Sequence, residues 1–394
     1  MKLYHSFGLP LLCICTLQLT GCDFLFKKDD QKRQLNAEEL TDLIPTRVKD
    51  RMSWASDILQ ISDELKISRD ADNLCTIVAV VDQESNFIAD PHVPGLGKKA
   101  VKEIDERLKE KLGETMAGYF NTMLKTKPTP EDNYLEKLEK VKTERELDEL
   151  YREMFAYYSK EYHVSLLAGA AKLVGQDIAE NFNPITTLGS MQVHIRYVKD
   201  NKPKLQSVNE VRDELYKQYG GLYYGIHRLM TYEASYDKAL YRFADFNSGM
   251  YSSRNASFQR IINKLADTDL DLDGDLLMYN KDGDPKMQKS GTEEVLIQYF
   301  STIPTAPTAS QIRKDLKLEK SKKFEDTQTY QVMLKRYKDK TGKDADYAIM
   351  PKVVISGPKL SRDYNTNWYA ERVNTRYKQC MRTAKKHKYY QEDQ

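Results

Sequence analysis

The feature that most constrains the fold is an apolar run ending in a carboxylate, within residues 76–87. Its sequence is Thr-Ile-Val-Ala-Val-Val-Asp-Gln-Glu-Ser-Asn-Phe. Three apolar residues precede Glu84 by seven, four and three positions: Ile77, Val80 and Val81. On an α-helix these positions share one face with the carboxylate. We therefore predict a buried helix with Glu84 at its C-terminal end.

Two interpretations of Glu84 follow from this position. A carboxyl group in an apolar wall tends to keep its proton near neutral pH, because desolvation disfavours the charged form. A protonated carboxyl in a cleft is suited to general acid catalysis. The alternative is a helix-terminal Glu whose side chain simply reaches solvent. We expect the helix to begin at a capping residue, Asp72.

The N-terminus is typical of an export signal. A short basic start precedes an apolar run over residues 7–19, which is too short to span a membrane. The run ends in Leu-Thr-Gly-Cys and resembles the lipobox of bacterial lipoproteins. That resemblance implies a signal peptide over residues 1–22, with Cys22 as the lipid-modified first residue of the mature chain. The alternative is an ordinary secretory signal in which the Cys occurs by chance.

The lipoprotein resemblance also implies a location. We expect a protein that is anchored in the bacterial envelope by its N-terminal lipid and faces the periplasm, with either the inner or the outer membrane as its anchor. Residues 23–36 are short, polar and charged, and we interpret them as a tether.

Composition restricts the possible partners. The formal net charge of +2 is nearly balanced, which argues against a nucleic-acid binder. Tyrosine is frequent, with 26 residues against 12 Phe and 2 Trp. Tyrosine offers an apolar face and a polar tip, which suits carbohydrate grooves, although half-buried packing is the alternative explanation.

Cysteine usage suggests one long-range link. Of the 5 cysteines, two leave with the signal peptide and Cys22 is the predicted lipidation site. The remaining two, Cys75 and Cys380, can pair in an oxidising compartment. A pair would join the C-terminal segment to the helix that carries Glu84. The alternative is two buried free thiols.

The chain is predicted to be mainly α. The expected helices include residues 37–67, with a break near Pro45, two charged helices within residues 98–162, one beginning near Ser190 and one over residues 208–232. Residues 353–356 give the main strand signal. Residues 301–310 are the best candidate for a linker, and a last helix is expected over residues 368–386.

Three later segments accompany Glu84-Ser85. They are Gly189-Ser190-Met191-Gln192, Gly220-Gly221-Leu222-Tyr223-Tyr224 and Phe246-Asn247. Their order and chemistry resemble the lytic transglycosylases of the soluble murein transglycosylase and goose-type lysozyme group. That family carries Glu-Ser, Gly-Leu-Met-Gln, a tyrosine-bearing helix and Ala-Tyr-Asn. This chain has Ser at position 190 where the family has Leu, and Phe at position 246 where it has Tyr.

The resemblance covers roughly residues 74–265 and implies a lysozyme-like helical domain. We assign residues 37–300 to this domain and residues 301–394 to a C-terminal helical extension. Glu84 and Gly189 are 105 positions apart (189 − 84), where the family has a few tens. We interpret residues 98–180 as a helical insertion. The whole sequence also resembles an uncharacterised family of proteobacterial lipoproteins.

The resemblance implies a peptidoglycan lytic transglycosylase with Glu84 as its only acid/base. Such an enzyme cleaves the bond between N-acetylmuramic acid and N-acetylglucosamine and leaves 1,6-anhydro ends. It requires no cofactor, and its partner is the glycan strand; the sequence identifies no protein partner. By the same resemblance, the residues expected to bind substrate are Ser85, Gly189, Ser190, Met191, Gln192, Tyr223, Tyr224, Phe246 and Asn247.

Two other functions remain open. Phe246 removes a hydroxyl that the family uses near the acetamido group, which favours a catalytically inactive module that binds peptidoglycan or scaffolds an envelope complex. In the second alternative, a hydrolytic muramidase, a carboxylate such as Asp245 would carry a water molecule. Only transglycosylation leaves an anhydro end, so the product distinguishes the two reactions.

One acidic segment has a metal-binding pattern. Asp269, Asp271, Asp273 and Asp275 resemble the first half of an EF-hand loop, with Gly274 at the turn. The twelfth position is Asn280, so the bidentate carboxylate is missing. The sequence therefore allows either structural calcium or a simple acidic turn. The histidines are scattered and give no zinc pattern.

Overall fold

The computed structural model of the chain describes residues 32–161, 183, 185–202, 206–280, 283–355 and 364–390. A compact unit begins at Arg33. The predicted signal peptide, the lipidation residue Cys22 and most of the predicted tether lie outside the described residues. None of the helices within those ranges combines the length and the apolar character needed to cross a bilayer.

The described residues are mainly helical, as predicted, with little sheet. The first eight helices are α1 Ala37–Leu43, α2 Arg51–Glu64, α3 Ala71–Glu84, α4 Leu96–Leu112, α5 Glu114–Thr126, α6 Tyr134–Lys140, α7 Glu144–Glu161 and α8 Ile195–Asn201. The next eight are α9 Val208–Leu215, α10 Gln218–Met230, α11 Ala239–Ser248, α12 Ser252–Ala266, α13 Gly291–Phe300, α14 Ala309–Leu316, α15 Gln328–Thr341 and α16 Thr366–Lys386. A 3₁₀ helix spans Lys322–Asp326.

Two predicted helices are each divided in two. Residues 37–67 form α1 and α2, because Pro45 follows α1 and Asp50 adopts a left-handed backbone conformation before α2. Residues 208–232 form α9 and α10, with a break at Tyr216 and Lys217. The first break agrees with the break predicted near Pro45, whereas the break at Tyr216 and Lys217 was not predicted.

Four short strands form two antiparallel pairs. β1 (Thr187–Leu188) pairs with β2 (Val193–His194), and β3 (Val354–Ile355) pairs with β4 (Tyr364–Asn365). The strand predicted at residues 353–356 is β3. The predicted helix start near Ser190 is wrong, because Ser190 lies in the turn between β1 and β2 and α8 begins at Ile195.

The first hydrophobic core is built around α3. Leu74, Ile77, Val80 and Val81 of that helix are fully buried, and apolar side chains from α1, α2 and α4–α11 join them. A helix whose whole circumference is buried must be surrounded by other elements. The apolar run that ends at Glu84 is therefore the centre of this part of the molecule.

Most of the segment predicted as an insertion, residues 98–180, consists of α4–α7, and residues 162–180 lie outside the described residues. Its helices share the first core through side chains such as Ile104 and Tyr151. A buried ion pair joins α7 to α9, because Asp148 accepts a hydrogen bond from Arg212 at 3.0 Å. The same carboxylate accepts the amide of Asn183 at 2.6 Å. These helices are therefore packed into the domain.

A second core lies among α12–α15. Each of the four helices contributes fully buried apolar side chains to this core; examples are Phe258, Leu296, Ile312 and Met333. The predicted boundary between residues 300 and 301 falls within this core. The predicted linker, residues 301–310, also contributes, because Ile303 packs against it.

The last helix returns to the first core. Tyr369, Val373 and Met381 of α16 belong to that core, and the helix packs on α3 and α11. Cys75 and Cys380 form a disulfide with a Cα–Cα distance of 5.5 Å. The C-terminal segment is therefore part of the same body as Glu84.

Candidate functional site

Glu84 is the last residue of α3 and is half-buried. The helix begins at Asp70, whose side chain accepts the backbone N–H of Asn73 at 3.0 Å. The prediction of Asp72 as the cap is therefore wrong. Asp72 is inside the helix and accepts a hydrogen bond from the phenol of Tyr377.

The chain leaves α3 in a fixed direction. Ser85 is buried and its hydroxyl donates to the carbonyl oxygen of Val81 at 3.2 Å, so it is bonded to its own helix. Asn86 and Phe87 have φ angles of 53° and 60°, in the left-handed region that non-glycine residues rarely adopt. The Phe87 ring packs edge-on against Trp54 at 5.3 Å. Surrounding packing thus imposes the turn that follows Glu84.

The Glu84 carboxylate has a partner on α16. The buried phenol of Tyr369 donates a hydrogen bond to Glu84 Oε1. Burial, and then the negative charge of Glu84, raise the pKa of Tyr369 well above its ordinary value. The phenol therefore keeps its proton and acts as a donor throughout the physiological pH range.

A cation lies in the same neighbourhood. Arg228 on α10 is half-buried, and burial lowers its pKa, while its electrostatic interactions with Tyr369 and Glu84 oppose that effect. Its guanidinium lies over the ring of Phe246, 4.9 Å from the centroid. Phe246 is itself buried. The structure thus gathers a carboxylate, a phenol, a guanidinium and an apolar ring from α3, α16, α10 and α11.

The Gly-Ser-Met-Gln segment forms the turn of the β1–β2 hairpin. Gly189 and Gln192 have φ angles of 78° and 49°. Met191 is fully buried beneath α10, where a Cβ at Gly225 would lie 2.3 Å from its Sδ atom. A Cβ at Gly221 would lie 2.9 Å from the backbone nitrogen of Ser190. The two glycines therefore allow the hairpin to lie directly against α10.

The polar residues of this turn face the protein. The Gln192 amide donates to Glu144 Oε2 at 3.0 Å, and its carbonyl oxygen accepts the hydroxyl of Thr187 at 3.0 Å. The Ser190 side chain is fully buried, and no hydrogen-bond partner for its hydroxyl lies among the described residues. These contacts favour a structural role for Ser190 and Gln192 over the predicted role in substrate binding.

The tyrosine pair on α10 divides between two environments. Tyr224 is buried. Tyr223 is half-buried between Tyr219 and His227, with ring centroids 6.5 Å and 6.4 Å apart and nearly parallel planes. Of the two tyrosines, only Tyr223 is partly accessible to solvent, as the middle ring of the row Tyr219, Tyr223 and His227. Asn247, the other predicted substrate ligand on this side, is exposed on α11.

Asp245 has no access to solvent. Its carboxylate accepts hydrogen bonds from Tyr236, from the Ser252 hydroxyl at 3.0 Å and from the Ser253 backbone N–H at 2.7 Å. Burial raises its pKa, and these hydrogen bonds offset part of the rise. The carboxylate fixes the start of α12 and cannot position a water molecule in a cleft, so the structure contradicts its hydrolytic role.

The acidic segment after α12 is a turn tied to its own helix. Asp273 accepts a hydrogen bond from the side-chain amide of Gln259 at 2.7 Å, and the backbone N–H of Gly274 donates to the side-chain oxygen of Gln259, Oε1, at 2.9 Å. Asp269 and Asp271 are exposed, as is Asp275. Within the described ranges, no three His, Cys, Asp or Glu side chains are grouped in a way that could hold a metal ion. Calcium at this turn stays a prediction.

Sequence reasoning missed Tyr369 and Arg228. Tyr369 lies far outside the segment that resembles the transglycosylases, and Arg228 lies beyond the tyrosines of the α10 motif. The available signal for Tyr369 was the pair Cys75 and Cys380, which ties its helix to α3. No sequence signal distinguished Arg228 from the other arginines of the chain.

Comparisons with known proteins place the chain in a family. The family described as protein of unknown function (DUF1615) matches residues 47–383. The chain is also similar to "Uncharacterized protein YaiW" of Escherichia coli (strain K12), with 32% identity over 378 residues, which cover 94% of this chain and 97% of that protein. No solved structure matches the chain. By the extent of the family match, this chain belongs to the DUF1615 family.

Proposed function

We propose that this protein is a membrane-anchored peptidoglycan lytic transglycosylase with Glu84 as its general acid and base. The observation that carries the proposal is the Glu84–Tyr369 pair at the end of a fully buried helix. The α10 helix supports it further, because it contacts both α3 and the β1–β2 hairpin and so connects the motifs on which the transglycosylase resemblance rests. The lysozyme-like fold is part of this proposal.

The chemistry needs only one carboxyl group. Protonated Glu84 donates its proton to the glycosidic oxygen as the bond to C1 of N-acetylmuramic acid breaks. The acetamido group of the substrate stabilises the positive charge at C1. The resulting carboxylate then takes the proton of the 6-hydroxyl, whose oxygen attacks C1 to close the 1,6-anhydro ring. The acid is regenerated and no water is consumed.

Tyr369 is the positioning residue in this scheme. Its phenol donates a hydrogen bond to Oε1 of Glu84 and so fixes the orientation of the carboxyl group. A carboxyl group that is already oriented loses less entropy on reaching the reactive geometry, and this lowers the activation free energy of the reaction. The high pKa of Tyr369 keeps it a donor and prevents it from competing as an acid.

The location of the protein belongs to the same proposal. A lipid on Cys22 would hold the domain at the membrane, and the part of the predicted tether before Arg33 would let it reach the cell wall in the periplasm. The substrate is then the glycan strand beside that membrane. The nearly balanced net charge of +2 suits an uncharged glycan better than a nucleic acid.

One observation favours the alternative of a glycan-binding module without turnover. Phe246 carries no hydroxyl, and its ring is covered by the guanidinium of Arg228. In that case Glu84 and Arg228 would bind sugar hydroxyls, and the partly accessible ring of Tyr223 would provide stacking.

The test is mass analysis of soluble muropeptides released from purified peptidoglycan by lipid-free protein lacking residues 1–26. Wild type would be compared with Glu84→Gln. Glu64→Gln is the matched control, because Glu64 also ends a helix and accepts a tyrosine hydroxyl, that of Tyr219, at 2.6 Å. We expect anhydro-muropeptides from wild type and Glu64→Gln, and none from Glu84→Gln.

Two results would change the proposal. Products with reducing ends would indicate hydrolysis, with the water activated by a group other than the buried Asp245. No release by any variant, together with binding of wild type to insoluble peptidoglycan, would leave the glycan-binding module as the function. Release by Glu84→Gln equal to wild type would exclude Glu84 as the acid.

A further inference from the structure

A cavity lies at the other end of α3 from Glu84. It has a volume of about 570 Å³ and is bounded by the first turns of α3, the start of α11 and the middle of α16. Asn73 and Thr76 on α3 line one side, eleven and eight residues before Glu84 (84 − 73 and 84 − 76). At about 1.5 Å per residue, the cavity is about 12–16 Å along the helix from the proposed acid.

Asn374 is a buried polar residue in the wall of this cavity. The residue is only 8% exposed and lines the cavity from α16. Its side-chain amide makes no hydrogen bond to any other described residue, although an amide offers two donors and a two-lone-pair acceptor. Buried amides in native proteins are almost always paired. A peptide bond has the complementary donor and acceptor.

The start of α11 supplies a site for a carboxylate. No side chain caps this ten-residue helix, and the residues around its first turn, Lys238, Ala239 and Leu240, line the cavity. The first N–H groups of a helix lack intrahelical acceptors and carry partial positive charge. Together with the Lys238 ammonium, which lies 3.9 Å from the exposed Asp237 carboxylate, they favour a carboxylate at this position.

Both signs of charge surround the cavity. Lys238 and Lys378 are exposed cations at its rim, whereas Asp237 and Glu371 are exposed anions. Deeper in the wall, the Arg242 guanidinium donates to the carbonyl oxygen of Leu229 at 2.8 Å, and the Asp72 carboxylate accepts the phenol of Tyr377. A polyanion or a polycation would meet repulsion here, whereas a molecule with one charge of each sign would not.

We propose that this cavity binds a short zwitterionic peptide. Asn374 pairs with a peptide bond, the start of α11 and Lys238 bind the carboxylate, and Glu371 or Asp237 binds the ammonium. The proposal stands apart from glycan cleavage, because none of these residues contacts Glu84. It assigns the C-terminal helix a role in binding as well as in packing.

The test is isothermal titration of the lipid-free protein with the tripeptide trialanine, beside forms capped by N-acetylation or C-amidation. We expect trialanine to bind and each cap to weaken binding. Asn374→Ala should weaken binding about tenfold, as expected for loss of the amide hydrogen bonds to the peptide. Asn367→Ala, at an exposed asparagine of the same helix, is the matched control and should bind like wild type.

Glu84→Gln separates the two proposals. It should abolish muropeptide release and leave trialanine binding unchanged, so either proposal can fail while the other holds. No binding of trialanine at millimolar concentration by folded wild type would overturn the peptide site. Equal binding of inorganic phosphate and trialanine would also overturn it, because the cavity would then be a simple anion site.

Discussion

The phenol of Tyr369 donates a hydrogen bond to Glu84 from a residue 285 positions further along the chain. The two side chains meet because α16 packs lengthwise on α3 and a disulfide joins the two helices. The proposed acid is therefore oriented by the last helix of the protein, which lies outside the segment that resembles the transglycosylases.

Tyr369→Phe tests the positioning role directly. We expect the variant to lose about 1–3 kcal/mol of stability, because it removes the hydrogen bond that the buried phenol donates to Glu84. We also expect release of anhydro-muropeptides to fall roughly tenfold to a hundredfold, because the carboxyl loses its fixed orientation. Timed muropeptide release and urea unfolding would measure the two effects.

Tyr377→Phe is the matched control for that experiment. It removes a second phenol-to-carboxylate hydrogen bond between the same two helices, the one to Asp72. The stability loss should be similar and the reaction rate should stay near that of wild type. Equal rate losses in the two variants would show that Tyr369 acts only by holding α16 in place.

Removal of the disulfide should loosen α16. In the variant with both Cys75→Ala and Cys380→Ala, we expect the free energy of unfolding to fall by about 2–5 kcal/mol. Amide hydrogen exchange should accelerate in α16, because its link to α3 is lost. Wild type treated with a thiol reductant should behave in the same way. Unchanged exchange in α16 would show that packing alone fixes the helix.

The sequence predicted the helices with strong apolar periodicity and was less accurate about their ends. The apolar residues before Glu84 have the spacing of a helix, so both the existence of α3 and its end at Glu84 were predicted. Its start was not, because Asp70 and Asp72 are both suitable caps two residues apart. The β1–β2 hairpin was missed, because two-residue strands carry no periodicity.

Gly225→Ala should be strongly destabilising. The new methyl would lie 2.3 Å from Sδ and 2.4 Å from Cβ of Met191, both in a filled core, so the hairpin must move away from α10. We expect a loss of about 1–3 kcal/mol or more in urea unfolding. Gly118→Ala is the control, because nothing lies within 4 Å of its Cβ position on an exposed face of α5. It should gain about 0.5–1 kcal/mol.

Ser190→Ala should leave the protein equally stable or more stable. The Ser190 hydroxyl is buried with no hydrogen-bond partner among the described residues, so removing it relieves a desolvation cost. The change should be up to about 1 kcal/mol of added stability, with muropeptide release unaffected. A fall in release without a fall in stability would instead return Ser190 to the predicted substrate-binding set.

Stability should depend on pH through Glu319. This carboxyl is fully buried, accepts hydrogen bonds from the Leu276 backbone and the Tyr279 phenol, and has a pKa that burial raises to about 7. Between pH 4.5, the ordinary pKa of a Glu side chain, and about pH 7, the folded state holds a proton that the unfolded state releases. Stability should therefore fall as pH rises through this window, by up to about 3 kcal/mol.

Urea unfolding at several pH values would measure the Glu319 effect. Glu319→Gln should flatten the decline between pH 4.5 and 7, because its side chain no longer titrates. Glu38→Gln, which removes an exposed carboxyl on α1, should keep the wild-type decline. A decline that persists in Glu319→Gln would assign the titration to another group.

The site shows why sequence reasoning found the acid and missed its partner. Glu84 can be identified from the apolar residues that precede it in the chain. Tyr369 is marked only through the disulfide: Glu84 is nine residues from Cys75 (84 − 75), and Tyr369 is eleven from Cys380 (380 − 369). At about 1.5 Å per residue, Glu84 lies about 14 Å along α3 from the disulfide and Tyr369 lies about 17 Å along α16 from it. Because the two helices are antiparallel, both residues lie on the same side of the disulfide and so can meet. That inference needs both the pairing and the direction of α16.

The return of α16 to the first core also has a consequence for biosynthesis. Between Phe246 and Tyr369 the chain builds the whole second core before it comes back to α3. A nascent chain that has emerged only as far as residue 365 has an unpaired Cys75 and a Glu84 without its phenol. The site is therefore assembled last, when the final helix has been synthesised and folded onto α3. A truncated product would keep the acid but lose the residue that orients it.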